Sequence, residues 1–79
     1  MKLARVRYTD GGTWFVDGPY STINQPPVGT IVQYERDVND ELRWGGIRYD
    51  VYFPGIPGYA PMGDYPFHEY FEDLDDETS

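Results

Sequence analysis

The chain contains no cysteine, so no disulfide can staple it and no thiolate is on hand as a nucleophile or metal ligand, which points to a reducing, cytoplasmic setting. Long apolar runs are missing too. No segment approaches the ~20 apolar residues that a membrane-spanning helix needs. The amino-terminal "MKLARVRYTD" has basic residues but lacks the apolar h-region of a signal peptide, so neither membrane insertion nor secretion is expected. Histidine occurs once, as His68, and neither Lys nor Arg occurs after Arg48.

The last absence organises the charge. Residues 1–48 hold all six bases (Lys2, Arg5, Arg7, Arg36, Arg43, Arg48) against six acids and sum to zero, so the whole net charge of −8 lies in residues 49–79. Direct nucleic-acid binding is therefore not expected, because phosphate recognition depends on Lys and Arg that release counterions. An acidic half of this kind instead steers a basic partner in from a distance.

Seventy-nine residues make one domain, 1–79, with an acidic segment over 64–79. Leu, Ile and Val are sparse while aromatics reach 18% and eight of the rings are Tyr. The core must then be built from large rings, and each Tyr can pack its ring while its hydroxyl stays in water or meets a partner.

Along the chain, Ala4, Val6 and Tyr8 alternate with Arg5, Arg7 and Thr9, the period of a half-buried strand. With the "DGG" turn and the β-branched and aromatic "TWFV", residues 2–16 read as a hairpin. The Pro- and Gly-bearing residues 17–29 read as a loop. "TIVQYER" forms a strand with Thr30, Val32 and Tyr34 on one face and Ile31, Gln33 and Glu35 on the other. "DVNDE" reads as a polar turn. In "RWGGIRYDVYF", Ile47, Tyr49, Val51 and Phe53 oppose Arg48, Asp50 and Tyr52 after a bend at Gly45 and Gly46. Residues 54–66 carry four prolines and three glycines and can form neither a helix nor a central strand. Phe67, Tyr70, Phe71 and Leu74 then fall at i, i+3, i+4 and i+7, a helical stripe starting near Asp64 with Pro66 in its first turn. That helix would end on Glu72, Asp73, Asp75 and Asp76, where the macrodipole disfavours negative charge, unless the last residues fray into solvent.

The expected fold is mostly β: an antiparallel sheet of four or five strands, or a small barrel, with at most one short C-terminal helix. Its expected core is Val6, Trp14, Val32, Ile47, Tyr49, Val51, Phe53 and Phe71.

Signs of catalysis are weak. His68 has only Ser21, in a Pro-rich loop, and Ser79 as hydroxyl partners, and no G-x-S-x-G elbow is present. It is expected at the surface, paired with Glu72 at i+4. Carboxylate pairs abound, yet so short a chain does not easily enclose a dry cleft of the usual ~300–1,000 Å³. "DLDDE" lacks the spacing and central glycine of an EF-hand loop, and no Gly-rich phosphate cradle is present. The expectation is a non-enzymatic protein with no cofactor and no metal.

The order of a hairpin, "PPVGTIVQYERD", "GGIRYDVYF" and a terminal aromatic and acidic element resembles small SH3-like barrels over about residues 26–74. The acidic, cysteine-free composition is similar to that of small phage proteins that block host defence, such as anti-CRISPR proteins and other DNA mimics. This second resemblance implies a viral inhibitor acting in the host cytoplasm on a basic, nucleic-acid-binding host protein such as a CRISPR effector subunit. On this reading the partner-binding residues are Asp50, Tyr52, Asp64, Glu69, Tyr70, Glu72, Asp73, Asp75 and Asp76. The first resemblance implies an alternative, an adaptor whose aromatic groove at Trp44, Tyr49, Tyr52 and Tyr59 takes an extended peptide. The oligomeric state is left open.

Overall fold

The computed structural model describes residues 1–74. In chain order its elements are β1 (Lys2–Val6), β2 (Thr13–Phe15), β3 (Thr22–Asn24), β4 (Ile31–Arg36), α1 (Val38–Trp44), β5 (Arg48–Tyr52), β6 (Ala60–Gly63), α2 (Asp64–Tyr70) and β7 (Phe71–Asp73). Five strands form one antiparallel sheet in the order β6-β5-β4-β1-β7, curled into a half-barrel, and β2 and β3 form a separate ribbon. The mostly β fold is as expected, but several local pairings are not.

β1 does not fold back on Thr13–Val16 as a hairpin. It lies inside the sheet, pairing Ala4 with Val32 of β4 and Val6 with Phe71 of β7. Ala4 and Val6 are fully buried, so a strand on each side satisfies their backbone groups. Arg7 follows, and its guanidinium donates to the backbone carbonyls of His68 and Glu69 near the end of α2, holding the chain at that end of the sheet. The "DGG" turn does form, with Gly11 at φ +81° and the Gly12 N–H donating to Asp10 Oδ1, but it leads into the ribbon. There Trp14 pairs with Ile23, so residues 17–29 are not all loop. The β-branched Thr22 and Ile23 supply a strand after the turn at Ser21.

The polar turn at 37–41 is instead the start of α1. Asp37 caps it by accepting from the Asp40 N–H at 3.0 Å, and Gly45, at φ +79°, ends it with its N–H on the Glu41 carbonyl. The helix buries no residue, so no apolar stripe announces it. Among the described residues there are therefore two short helices rather than one.

α2 begins at Asp64 as expected but stops at Tyr70, because Phe71 turns extended at φ −127° and ψ 148°. Phe71–Asp73 then becomes the edge strand that β1 requires. Glu72 and Asp73 are thus not at a helix C-terminus, and the dipole cost expected for them does not arise. In the irregular 54–66 stretch, Ala60–Gly63 forms the opposite edge, the position in a sheet that tolerates Pro61. Gly58, at φ +93°, brings this stretch against the start of the 17–22 turn. A Cβ there would collide with the Asp17 carbonyl oxygen, whose own N–H donates to Tyr59 O at 2.7 Å.

The core is a ring cluster. Trp14 stacks on Phe53 with centroids 5.4 Å apart and tilts against Phe71 at 5.2 Å, while Phe67 packs on Tyr34, Tyr49 and Phe71. Val6, Trp14, Val32, Val51, Phe53 and Phe71 are buried as expected, joined by Ala4, Val16, Tyr34, Ala60, Met62 and Phe67. Tyr49 is half-buried against the cluster. Ile47 is an exception: it precedes β5 and is 41% exposed. Val51 has no exposed surface, so Val51→Ala should lower stability by about 1–3 kcal/mol, read as a shift in the urea midpoint with an unchanged slope.

Candidate functional site

Strand alternation sends one set of side chains into the ring cluster and the other onto the outer face of the sheet. Along the outer face, register pairs Arg5 with Ile31 and with Glu72, Leu3 with Gln33, Gln33 with Tyr52, and Glu35 with Asp50. Glu35 and Asp50 therefore stand side by side on neighbouring strands. The end of β4 and the first turn of α1 add Asp37 and Asp40 to the same neighbourhood, where both act on Asp50 electrostatically. The base beside them is Arg48, whose Nε lies 3.9 Å from Asp40 Oδ2.

Asp50 is the unusual member. The residue is only 9% exposed, and its Oδ1 is shut off from water without a hydrogen-bond donor. Burial pushes its carboxyl up from 3.8 to about 7, helped by a hydrogen bond shared with Asp37 and by the charges of Asp37, Glu35 and Asp40. Two ionised carboxylates cannot share such a bond, which favours the protonated form of the buried Asp50 carboxyl.

Two tyrosines border this group. The Tyr52 hydroxyl donates to Glu35 Oε2 at 3.1 Å and is pushed up to about 12, by burial first and that bond second. Its ring lies 6.0 Å from that of Tyr59, whose hydroxyl donates to Asp17 Oδ2 at 3.1 Å. Each hydroxyl holds a carboxylate in place at the surface.

The residues read from sequence as one partner-binding set are divided by the fold. Asp50 and Tyr52 belong to the acidic outer face. Glu72 shares that face but holds Arg5 through both Nε and Nη2, at 3.0 and 2.8 Å. Asp64 is on α2, where it accepts from the Tyr49 hydroxyl at 3.4 Å and faces His68 Nε2 at 3.2 Å. His68 is thus paired with Asp64, one turn before it, and not with Glu72. Glu69 is half-buried on α2. Tyr70 is a clamp: its ring stacks on Tyr8 and meets Trp14 edge-on, and its hydroxyl donates to Asp10 Oδ2 at 2.7 Å. That bond raises the Tyr70 hydroxyl to about 12 and lowers the Asp10 carboxyl. Asp73 lines a hollow of about 490 Å³ with Lys2, Tyr34, Arg36, Tyr49 and His68. Asp75 and Asp76 lie outside the described residues.

The aromatic groove of the adaptor reading does not assemble. Tyr52 and Tyr59 meet on the outer face, but the Tyr49 ring stacks on Phe67 at 4.3 Å on the inner side, and Trp44 is 69% exposed on α1. Glu35, Asp37, Asp40 and Asp17 were not among the expected site residues. They come from the half of the chain whose charges sum to zero, where much of the positive charge proves to be engaged elsewhere: Arg36 is clamped on Glu41, with Nη2 to Oε1 at 2.6 Å, and Arg5 on Glu72. For Glu35 the signal was present, since it shares the polar face of β4 with Gln33.

Among the described residues, no three His, Cys, Asp or Glu side chains are placed to hold a metal ion, and no helix is long and apolar enough to cross a membrane. No protein-family model, curated protein or solved structure matches the chain.

Proposed function

We propose that this is a non-enzymatic binding protein that presents the acidic, tyrosine-bordered face of its sheet to a basic nucleic-acid-binding site on a host protein. It would act as phage anti-CRISPR and other DNA-mimicking inhibitors do. The observation that carries this reading is the crowding of Glu35, Asp37, Asp40 and Asp50 on one face, beside Arg48, which already faces Asp40. Carboxylates held at the surface by Tyr hydroxyls can stand in for phosphates, and a net charge of −8 adds long-range attraction. The lack of cysteine fits action in a host cytoplasm.

Displacement of labelled duplex DNA from a CRISPR effector or another basic DNA-binding host protein tests the reading. The parent chain should compete at low salt, and the Glu35→Gln, Asp40→Asn double variant should compete several-fold less well. The gap should close as salt rises, because exposed charge is screened over a Debye length of about 8–10 Å near physiological ionic strength. A parallel variant with Glu69→Gln, Asp75→Asn and Asp76→Asn tests the terminal acids as the epitope instead. No competition by the parent at low salt, across such a panel, would remove the reading.

A further inference from the structure

The acidic residues occupy only part of the outer face. Next to them lies a hollow of about 370 Å³ whose walls include Leu3, Ile31, Gln33, Tyr52 and Pro54. Ile31 is 45% exposed at a position where a strand in a one-sided sheet would ordinarily carry a polar residue. Gln33 and Tyr52 are register partners, and the next outward pair along the same two strands is Glu35 with Asp50. Two residues along a strand span about 7 Å, so the apolar hollow and the exposed Glu35 carboxylate are one side chain's reach apart. On the far side of Ile31 the surface is neutral, because its register partner Arg5 is bound to Glu72. The negative field is thus on one flank of the hollow only.

We infer that this hollow is the anchor point of the interface: it seats a bulky apolar side chain of a basic protein segment while a Lys or Arg about 7 Å away lies over the exposed Glu35. The inference rests on the proposed function and adds to it the chemistry of the partner and its polarity along the strands. Charge complementarity selects the occupant, since a segment with its basic residue on the Arg5 side would meet a satisfied ion pair. The exposed apolar side chains of α1 are a weaker alternative. Leu42 is 82% and Trp44 69% exposed, but two helical positions place them roughly 200° apart around the axis, so they cannot close on one side chain.

The test uses the whole chain and two short synthetic probes, a Lys/Arg-rich peptide with one central Leu and the same peptide with Ser in its place, titrated at low salt and followed by amide chemical shifts. The Leu peptide should bind about tenfold more tightly, with the largest shifts at Ile31, Gln33 and Tyr52. Ile31→Ser should remove that advantage while leaving the Ser peptide's affinity unchanged. Gln33→Trp, which fills the hollow from an exposed position, should do the same. Equal binding of the two peptides, or shifts centred on Val38 and Leu42, would overturn the anchor while leaving the charge-based function standing. If neither peptide binds, the basic-partner reading falls as well.

Discussion

Phe67→Ala should be the most damaging single truncation in the molecule, with an expected loss of about 3–5 kcal/mol. Phe67 is fully buried and its ring packs on those of Tyr49 at 4.3 Å, Tyr34 at 4.8 Å and Phe71 at 5.4 Å between centroids, with the His68 ring edge-on at 5.2 Å. It also joins α2 to both halves of the sheet, since Tyr34 and Tyr49 come from β4 and β5 while Phe71 begins β7. Removing it opens a cavity that the surrounding rings cannot refill without leaving their rotamers. A domain this small has only about 5 kcal/mol of stability to lose, so the variant should lose its near-ultraviolet circular dichroism and wide amide dispersion at room temperature. Ile47→Ala is the internal control. Its side chain is largely in water, and its effect should lie within about 0.5 kcal/mol. A Phe67→Ala protein that unfolds cooperatively at a midpoint close to that of Val51→Ala would show that α2 is dispensable to the core.

Phe67 also shows what local pattern could and could not convey. The i, i+4 spacing of Phe67 and Phe71 suggested one apolar helical stripe, and both residues are indeed buried. Only the first is in a helix. Phe71 faces inward because it pairs with Val6 across a strand ladder, a contact spanning most of the chain that no local window contains. The same limit explains the mistaken hairpin: Ala4 and Val6 alternate correctly, but alternation does not name the partner strand. In β4 and β5, where one strand face meets the rings, period-2 reading placed Val32 and Val51 on that face and Gln33, Asp50 and Tyr52 on the other, although Asp50 is itself buried. α1 failed in the opposite way. Its caps, Asp37 and Gly45, were visible, but it packs no side chain in the core and so has no apolar period to read. Because α1 went unseen, Asp37 and Asp40 were not brought to Asp50, and the acids grouped from sequence were Asp50 with those of residues 64–76.

Asp50→Asn should stabilise the protein at alkaline pH, although it replaces a buried side chain. The Asp50 carboxyl is raised from 3.8 to about 7 by burial and by the neighbouring Asp37. In the unfolded chain it ionises near its ordinary value, so between pH ~4 and ~7 the folded protein holds a proton that the unfolded chain has released. Stability therefore falls as pH rises through that window. Below it the group is protonated in both states and contributes no difference. Above it the folded state carries the full cost of a buried carboxylate facing Asp37, on the order of 4 kcal/mol at about 1.4 kcal/mol per pKa unit. An Asn at this position cannot ionise, and its amide can donate to the neighbouring Asp37 carboxylate. Urea midpoints measured from pH 5 to 8 should decline more steeply for the parent than for Asp50→Asn, with the variant the more stable of the two at pH 8. The other carboxylates are common to both proteins, so the difference between the two curves isolates this pair. Parallel curves, or a variant less stable than the parent at pH 8, would mean that Asp50 is ionised in the native protein and that its buried oxygen is compensated in some other way.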